Sequence, residues 1–365
     1  MIAAGGTGGH IYPGIAVARE IMRRDANAKV RFVGTARGLE SRLVPQAGFE
    51  LTLIDSSGLK NVSLAARARG LATLPKSFLS TLSLLKEFRP DVVVGAGGYV
   101  SGSVVLTAAL TKRPTLVMES NAIPGWTNRV LARFVDRAAV SFEEALPFFR
   151  GKAVVMGNPV RREFFEIPRK IRQPNEFSIL VFGGSQGARA INEAMIAALP
   201  VLKTCPVALR VKHQTGPSDF ERVQAAYRDA GWTTDVRQAD NLSHIAEVSS
   251  YIDNMVDDFA KADLVICRAG ATTTAELIAA GKAALMIPFP FAADDHQRKN
   301  AEALQSSGAA QMILQQDLTG QRLAQEIIEL AQEPSTVDEM EASIRKLQRG
   351  DAAAAAVDII EKLGK

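Results

Sequence analysis

Cysteine is nearly absent from this 365-residue chain, which has only Cys205 and Cys267. Two residues cannot supply a disulfide scaffold, and their spacing is not that of a metal site, so two structural thiols in a reducing compartment are expected. Long hydrophobic runs are also missing. No stretch reaches the roughly 20 uninterrupted apolar residues that cross a bilayer. The N-terminus enters a glycine cluster at once, which predicts no secretory signal. Aromatics are few, at 6%, but 47% hydrophobic and 22% charged residues give an ordinary globular balance. The length suits two cores rather than one.

Three chemical signatures are missing too. No glycine loop is followed by Lys-Ser or Lys-Thr, which removes a P-loop phosphate site. Gly6-Thr7-Gly8-Gly9 lacks the Gly-x-Gly-x-x-Gly spacing of a dinucleotide fold, which disfavours a dehydrogenase. Asp-x-Asp, through which many glycosyltransferases hold a diphosphate by a metal, occurs nowhere. Neither a metal nor a bound cofactor is expected.

What the chain does have is glycine, clustered after short apolar runs. Gly5–His10 follows Ile2–Ala4, Gly95–Gly98 follows Val92–Val94, Gly183–Gly187 follows Ile179–Phe182, and Gly270–Thr274 follows Leu264–Cys267. A glycine loop between strand and helix lets backbone approach a ligand and aims N–H groups and the positive helix end at an anion. Further strands are expected at Val30–Val33, Thr115–Met118, Ala153–Met156, Ala208–Lys212 and Ala284–Ile287, alternating with helices. That alternation predicts parallel sheets covered on both faces, with ligands beyond the C-terminal strand ends. The two halves repeat one design. Ile11, Ile15, Ala18 and Met22 follow the first loop at the spacing with which Ile191, Met195, Ala198 and Leu202 follow the third. Only three apolar residues precede the first loop, which points to Met1 as an internal start.

The net charge of +4 is unevenly spread. Up to Gly157 there are 20 Lys and Arg against 11 Asp and Glu; beyond it there are 23 against 28. A basic first half suits an anionic partner such as phosphate or lipid headgroups. Between Lys60 and Arg89, Lys60, Arg67, Arg69, Lys76, Lys86 and Arg89 face only Glu87, interleaved with Leu71, Leu74, Phe78, Leu79, Leu82 and Leu85. This pattern suits peripheral binding to anionic lipid, or an amphipathic helix packed on the core.

Two further segments carry polar chemistry. In Arg268–Glu276, threonine hydroxyls and N–H groups precede a carboxylate that suits a ribose diol, or equally a favoured helix-start acid. After Pro288-Phe289-Pro290-Phe291 comes Asp294-Asp295-His296-Gln297, then Asn300, which suits hydroxyl recognition or a capped helix start. His10 is a candidate general base or a loop cap; His213 and His244 read as ordinary structural residues.

Together, Gly5-Gly6-Thr7-Gly8-Gly9-His10-Ile11-Tyr12-Pro13, Gly95-Ala96-Gly97-Gly98-Tyr99, Glu119-Ser120-Asn121, Gly157-Asn158-Pro159-Val160-Arg161, Gly183-Gly184-Ser185-Gln186-Gly187-Ala188 and Arg268–Glu276 resemble the MurG family over nearly the whole chain. These are the N-acetylglucosaminyltransferases of peptidoglycan synthesis. The resemblance implies an α/β GT-B fold of two Rossmann-like doubly wound domains facing a cleft. Residues 1–157 would form an acceptor-binding, membrane-facing domain and 158–345 a UDP-sugar domain, with 346–365 returning to the first. It implies inverting transfer of N-acetylglucosamine from UDP-N-acetylglucosamine to undecaprenyl-diphospho-N-acetylmuramoyl-pentapeptide (lipid I), giving lipid II.

By the same resemblance, Ser185 and Arg161 would contact the UDP diphosphate and Ile252 would hold uracil by its backbone. Ala271, Thr272, Thr273, Thr274 and Ala275 would meet the α-phosphate and ribose, and Glu276 the ribose hydroxyls. Asn121, His296 and Gln297 would read the sugar; His296 stands where some members have glutamine, and Ser120 where others often do. Thr7, Gly8 and Gly9 would border the donor and, with Gly97, Gly98 and Tyr99, bind the acceptor diphosphate. His10 would be the base. Peripheral contact with anionic lipid at the cytoplasmic face of the bacterial inner membrane is implied, and no nucleic acid. Rival readings are another GT-B enzyme with a neutral acceptor, a UDP-N-acetylglucosamine epimerase, and a noncatalytic nucleotide-sugar binder.

Overall fold

The computed structural model describes residues 1–6, 8–36, 38–54, 64–184, 186–234, 244–292 and 295–365, the side chains of 64–75 excepted. These residues divide into two compact units, Met1–Arg162 with Arg349–Lys365, and Glu163–Gln348.

The first unit holds seven strands: β1 (Ile2–Ala4), β2 (Arg31–Gly34), β3 (Glu50–Leu53), β4 (Val93–Gly97), β5 (Thr115–Glu119), β6 (Arg137–Val140) and β7 (Ala153–Val155). All are parallel, in the order β3-β2-β1-β4-β5-β6-β7. Its helices are α1 (Gly8–Arg24), α2 (Glu40–Gln46), α3 (Leu64–Phe88), α4 (Tyr99–Leu110) and α5 (Trp126–Leu131). Every residue of β1, β4 and β5 is buried, as strands covered by helices on both faces must be.

The second unit repeats the plan with β8 (Glu176–Phe182), β9 (Ala208–Gln214), β10 (Ile245–Ser249), β11 (Leu264–Cys267), β12 (Ala284–Met286) and β13 (Ala310–Met312). These are also parallel, in the order β10-β9-β8-β11-β12-β13. Around them lie α6 (Arg189–Leu202), α7 (Phe220–Asp229), α8 (Met255–Lys261), α9 (Ala271–Ala280), α10 (His296–Ser306), α11 (Gly320–Gln332) and α12 (Pro334–Lys346). Ile191, Met195, Ala198 and Leu202 of α6 are all buried, as are Ile11, Ile15 and Ala18 of α1. Met22 is only half-buried. Both thiols are free and buried.

Each sheet reverses direction once. After β1 the chain builds outward through β2 and β3, then crosses to place β4 on the other side of β1; β8 and β11 stand in the same relation. The crevice beyond the carboxyl ends of such a strand pair is where open α/β sheets bind ligands. All four glycine clusters fall there. One corrects its expected form: β4 runs through Gly97, so Gly95–Gly97 are strand residues. Gly95 serves close packing: a Cβ there would stand 2.7 Å from Val105 Cγ2 of α4.

The last helix, α13 (Ala352–Leu363), packs on α1 of the first unit and buries Ala352, Ala353, Ala356 and Val357. The Asp351 carboxylate caps it, accepting the Ala353 and Ala354 N–H groups. Arg24 of α1 donates to Asp358, Glu361 and the Ala354 carbonyl. Beneath it the buried Glu20 carboxylate accepts from both Arg23 and Arg24. Those bonds, from Arg23 foremost, hold Glu20 at about 2, below its ordinary 4.5. A depressed carboxylate stabilises the fold above its unfolded pKa and loses that contribution as pH falls through the folded value. Glu20→Gln should therefore cost about 2 kcal/mol in denaturant unfolding at pH 7, and the gap to the parent should close between pH 4.5 and 2.

Candidate functional site

In the first unit the loop after β1 lies against the end of β4. Gly98 has φ +83°, and a Cβ there would stand 2.2 Å from the Gly5 carbonyl oxygen. Gly97, at φ +117°, gives the same room to His10, whose Cδ2 would lie 2.4 Å from an added Cβ. Only glycine allows these approaches. Ser101 Oγ ties the two strands, lying 2.6 Å from Ala3 O and 2.8 Å from Gly97 O while accepting the Gly97 N–H. Gly8 and Gly9 form the first turn of α1, which carries no acid, and Tyr99 starts α4, also acid-free in its first turn. The N–H groups and positive helix ends there suit an anion. Thr7 lies outside the described residues.

His10 stands in that first turn with Nδ1 3.1 Å from the Gly5 carbonyl. A carbonyl only accepts, so the proton on this contact belongs to Nδ1 and the lone pair of the neutral ring to Nε2. The cap and base readings are thus two ends of one ring. Below the loop, the Glu40 carboxylate, with no exposed surface, accepts the Gly6 N–H at 2.9 Å and the Thr35 N–H and hydroxyl at 2.9 and 2.8 Å. After β5, buried Glu119 accepts from Asn121 N and Nδ2 on one oxygen and from Gly125 N and Asn128 Nδ2 on the other. That carboxylate sets the turn on which Asn121 sits. Arg161 lies half-buried after Val160.

In the second unit, the loop after β8 meets the loop after β9 backbone to backbone. A Cβ on Gly187 (φ +74°) would be 1.9 Å from Thr215 O, and one on Gly216 (φ +80°) 2.1 Å from Gln186 O. Gln214 Nε2 donates to Gly184 O at 2.7 Å, fixing the turn from beneath. Ser185 lies outside the described residues. Ile252, after β10, is buried.

Across the reversal from β8, Gly270 caps α9, whose first turn holds no acid. Ala271, Thr272, Thr273, Ala275 and Glu276 are half-buried. Thr274 is buried, and its hydroxyl donates to Gly270 O at 3.0 Å; Thr272 Oγ1 is buried without a partner among the described residues. The expectation that this segment presents threonine hydroxyls is therefore corrected at Thr274, whose side chain turns into the helix. Arg268 joins two loops, donating to Ile287 O, Pro288 O and Gln315 Oε1 with its guanidinium over the Phe289 ring. Burial lowers it only to about 10, so it stays charged at neutral pH. Gln297 accepts the Phe289 N–H at 3.0 Å through Oε1, which orients its amide nitrogen away from that bond. His296 opens α10 beside it, and Asn300 donates to Ala269 O.

His213 is structural. It is buried, bonded to Asn192 Oδ1 and Tyr227 OH, and burial lowers it to about 3, so it stays neutral. His244 bonds Leu209 N and Lys203 O. Glu40, Ser101, Glu119 and Gln214 are the residues the sequence did not disclose as site-builders.

Comparison with known proteins agrees with this geometry. The glycosyltransferase family 28 N-terminal domain matches residues 1–140, and the family 28 C-terminal domain matches residues 178–361. A protein of Pelobacter propionicus named UDP-N-acetylglucosamine–N-acetylmuramyl-(pentapeptide) pyrophosphoryl-undecaprenol N-acetylglucosamine transferase is 45% identical, covering 99% of this chain and 98% of its own. A protein of Geotalea daltonii with the same name is 46% identical over 100% and 97%. The crystal structure of Acinetobacter baumannii MurG superposes with a TM-score of 0.78 at 32% identity, covering 99% and 98%.

Proposed function

Because the chain belongs to glycosyltransferase family 28, and within it to the MurG family, we propose that it transfers N-acetylglucosamine from UDP-N-acetylglucosamine to lipid I, forming lipid II. The observation that carries this reading is the pairing of glycine clusters at the reversal point of each sheet, one pair per unit. A two-substrate transfer between diphosphates needs two anion sites, and a repeated glycine pair, one in each unit, suits that need.

We assign the acceptor diphosphate to the pair in the first unit: Gly8 and Gly9, with Gly97, Gly98 and Tyr99. UDP falls to the pair in the second, with Ile252 on uracil, Ala271–Ala275 on phosphate and ribose, and Glu276 on the ribose hydroxyls. Ser185 and Arg161 complete the diphosphate contacts, Thr7 stays with the acceptor loop and the donor's edge, and Asn121, His296 and Gln297 read the sugar. In the reaction, His10 Nε2 takes the proton of the acceptor hydroxyl as its oxygen attacks the anomeric carbon. UDP leaves from the opposite face, so the centre inverts. Charge on departing UDP is met by Arg161, by loop N–H groups and by the α6 and α9 N-termini.

The test is UDP release from UDP-N-acetylglucosamine with and without a lipid I analogue. Acceptor-dependent release supports the assignment, and release indifferent to acceptor overturns it; a noncatalytic binder would show none.

Peripheral contact with anionic lipid at the cytoplasmic membrane face belongs to the same proposal. Among the described residues no helix is long and apolar enough to cross a membrane. The apolar stripe of the basic segment divides: Leu85 is core, while Phe78 and Leu79 are exposed beside Lys76 on α3. Lys60 lies outside the described residues, as do the side chains of Arg67, Arg69, Leu71 and Leu74. Exposed Trp126, Val130 and Phe134 add apolar surface to the same unit. Vesicles with anionic lipid should co-sediment the protein at low salt and release it at high salt. Equal binding to neutral vesicles would remove the electrostatic part of this reading.

A further inference from the structure

The Gly5–Gly6 peptide unit is bonded at both ends. Its N–H donates to Glu40 Oε2 at 2.9 Å, and its carbonyl accepts from His10 Nδ1 at 3.1 Å. The carboxylate is wholly buried and held by Thr35 on its other oxygen. Gly98 crowds the carbonyl oxygen from another side, closely enough that no Cβ would fit. A carboxylate, a peptide and an imidazole thus form one short chain of hydrogen bonds, with the carboxylate brought in from 34 residues beyond Gly6.

We propose that Glu40 is a positioning residue for His10, acting through the intervening peptide as the far member of a carboxylate–peptide–imidazole dyad. Hydrogen bonds in series polarise one another. The anion drawing on the Gly6 N–H raises electron density on the Gly5 oxygen, which then holds the Nδ1 proton more firmly. That fixes the tautomer with its lone pair on Nε2 and favours the imidazolium that forms when the acceptor's proton arrives. A carboxylate bonded directly to an imidazole has the same two effects. No proton crosses the peptide. The inference rests on the reading of His10 as the base.

Among the described residues, the other charges on the helices packed against α1 lie away from this chain of bonds. Asp358 and Glu361 of α13 pair with Arg24 at the far end of α1, and Arg42 of α2 and Lys362 of α13 are exposed. Glu20, Arg23 and Arg24 pair with one another at that same far end.

The experiment is Glu40→Gln, followed by NMR titration of the four histidines, with the His10 signal assigned by its loss in His10→Gln. A glutamine fills the same space but cannot accept from both Gly6 and Thr35. Removing the charge should lower the His10 pKa by about one unit, the order expected for a charge one peptide away at an effective dielectric of about 20. The Nδ1–H tautomer fraction should drop, kcat fall about tenfold, and the acid limb of the pH–rate profile move to lower pH. KM for UDP-N-acetylglucosamine should hold. Thr35→Val, which keeps the charge, should leave the His10 titration in place. A folded Glu40→Gln with unchanged His10 pKa and tautomer overturns the dyad and leaves Glu40 a loop latch. Should that variant not fold, Glu40→Asp keeps the charge but shortens the reach to Gly6. A smaller fall in the His10 pKa and tautomer fraction is then expected, and no change overturns the dyad. An undiminished kcat in His10→Gln overturns the base reading instead, whatever the titration shows.

Discussion

His10→Gln should lower kcat by about 10²–10⁴-fold, the usual contribution of a positioned general base. The substitution separates the two ends of the ring. A glutamine amide can still donate toward the Gly5 carbonyl that Nδ1 now meets at 3.1 Å, so the loop keeps its latch. Nothing then stands where Nε2 stood to take a proton. KM for both substrates and the melting temperature should change little, while kcat collapses. Steady-state kinetics on a lipid I analogue decide it. If His10 only capped the loop, His10→Gln would keep most of its rate and His10→Ala would lose melting temperature instead.

The largest expected loss on the donor side comes from Gly187→Ala. Two independent obstacles meet at that residue: a φ of +74°, which costs a side chain about 1–2 kcal/mol, and a Cβ position 1.9 Å from the Thr215 carbonyl oxygen. Backbone cannot swing aside as a side chain can, so the β8 and β9 loops must part. KM for UDP-N-acetylglucosamine should rise by more than about tenfold, with several degrees lost in melting temperature. Gly184→Ala is the matched comparison. Its φ is +93°, yet an added Cβ meets nothing within 4 Å, so it carries the conformational cost alone. Equal effects of the two substitutions on KM would mean that loop spacing does not matter to the donor. The Kd for UDP, read by calorimetry without the acceptor, should weaken in the same order.

The parts of this molecule legible in its sequence are those written in local repetition. Loop, helix and the i, i+4, i+7 and i+11 apolar positions recur in both halves, and the structure gives α1 and α6 in equivalent places. Nine of the strands stand out in the sequence as short apolar runs. Those that escaped are β3, β6, β10 and β13, with sequences Glu-Leu-Thr-Leu, Arg-Ala-Ala-Val, Ile-Ala-Glu-Val-Ser and Ala-Gln-Met. Three of the four form sheet edges, where one side of the backbone needs no partner strand and polar residues are tolerated. Short strands of mixed polarity carry too little periodicity to stand out.

The candidate site divides in the same way. Glycines announce themselves, because a cluster of them has few other uses. Carboxylates do not. Glu40 reads locally as an acid at a helix start, and only the fold brings it under Gly6, 34 residues away. Glu119 was in view as part of a motif, but its four donors are assembled by a turn that no spacing rule describes. Thr274 shows the opposite error: a hydroxyl counted as available is consumed by the turn before it.

The return of α13 to α1 has a consequence for how the chain comes off the ribosome. The second unit, Glu163–Gln348, is an insertion within the first, whose remaining piece is Arg349–Lys365. Synthesis runs from the N-terminus at about 5–20 residues per second, so the first unit must wait on the order of ten seconds or more for its last helix. During that interval the apolar face of α1 that clusters with Ala356 and Val357 stays uncovered. The second unit, continuous in sequence, can close first. Domain order in biogenesis would then run opposite to domain order in the gene.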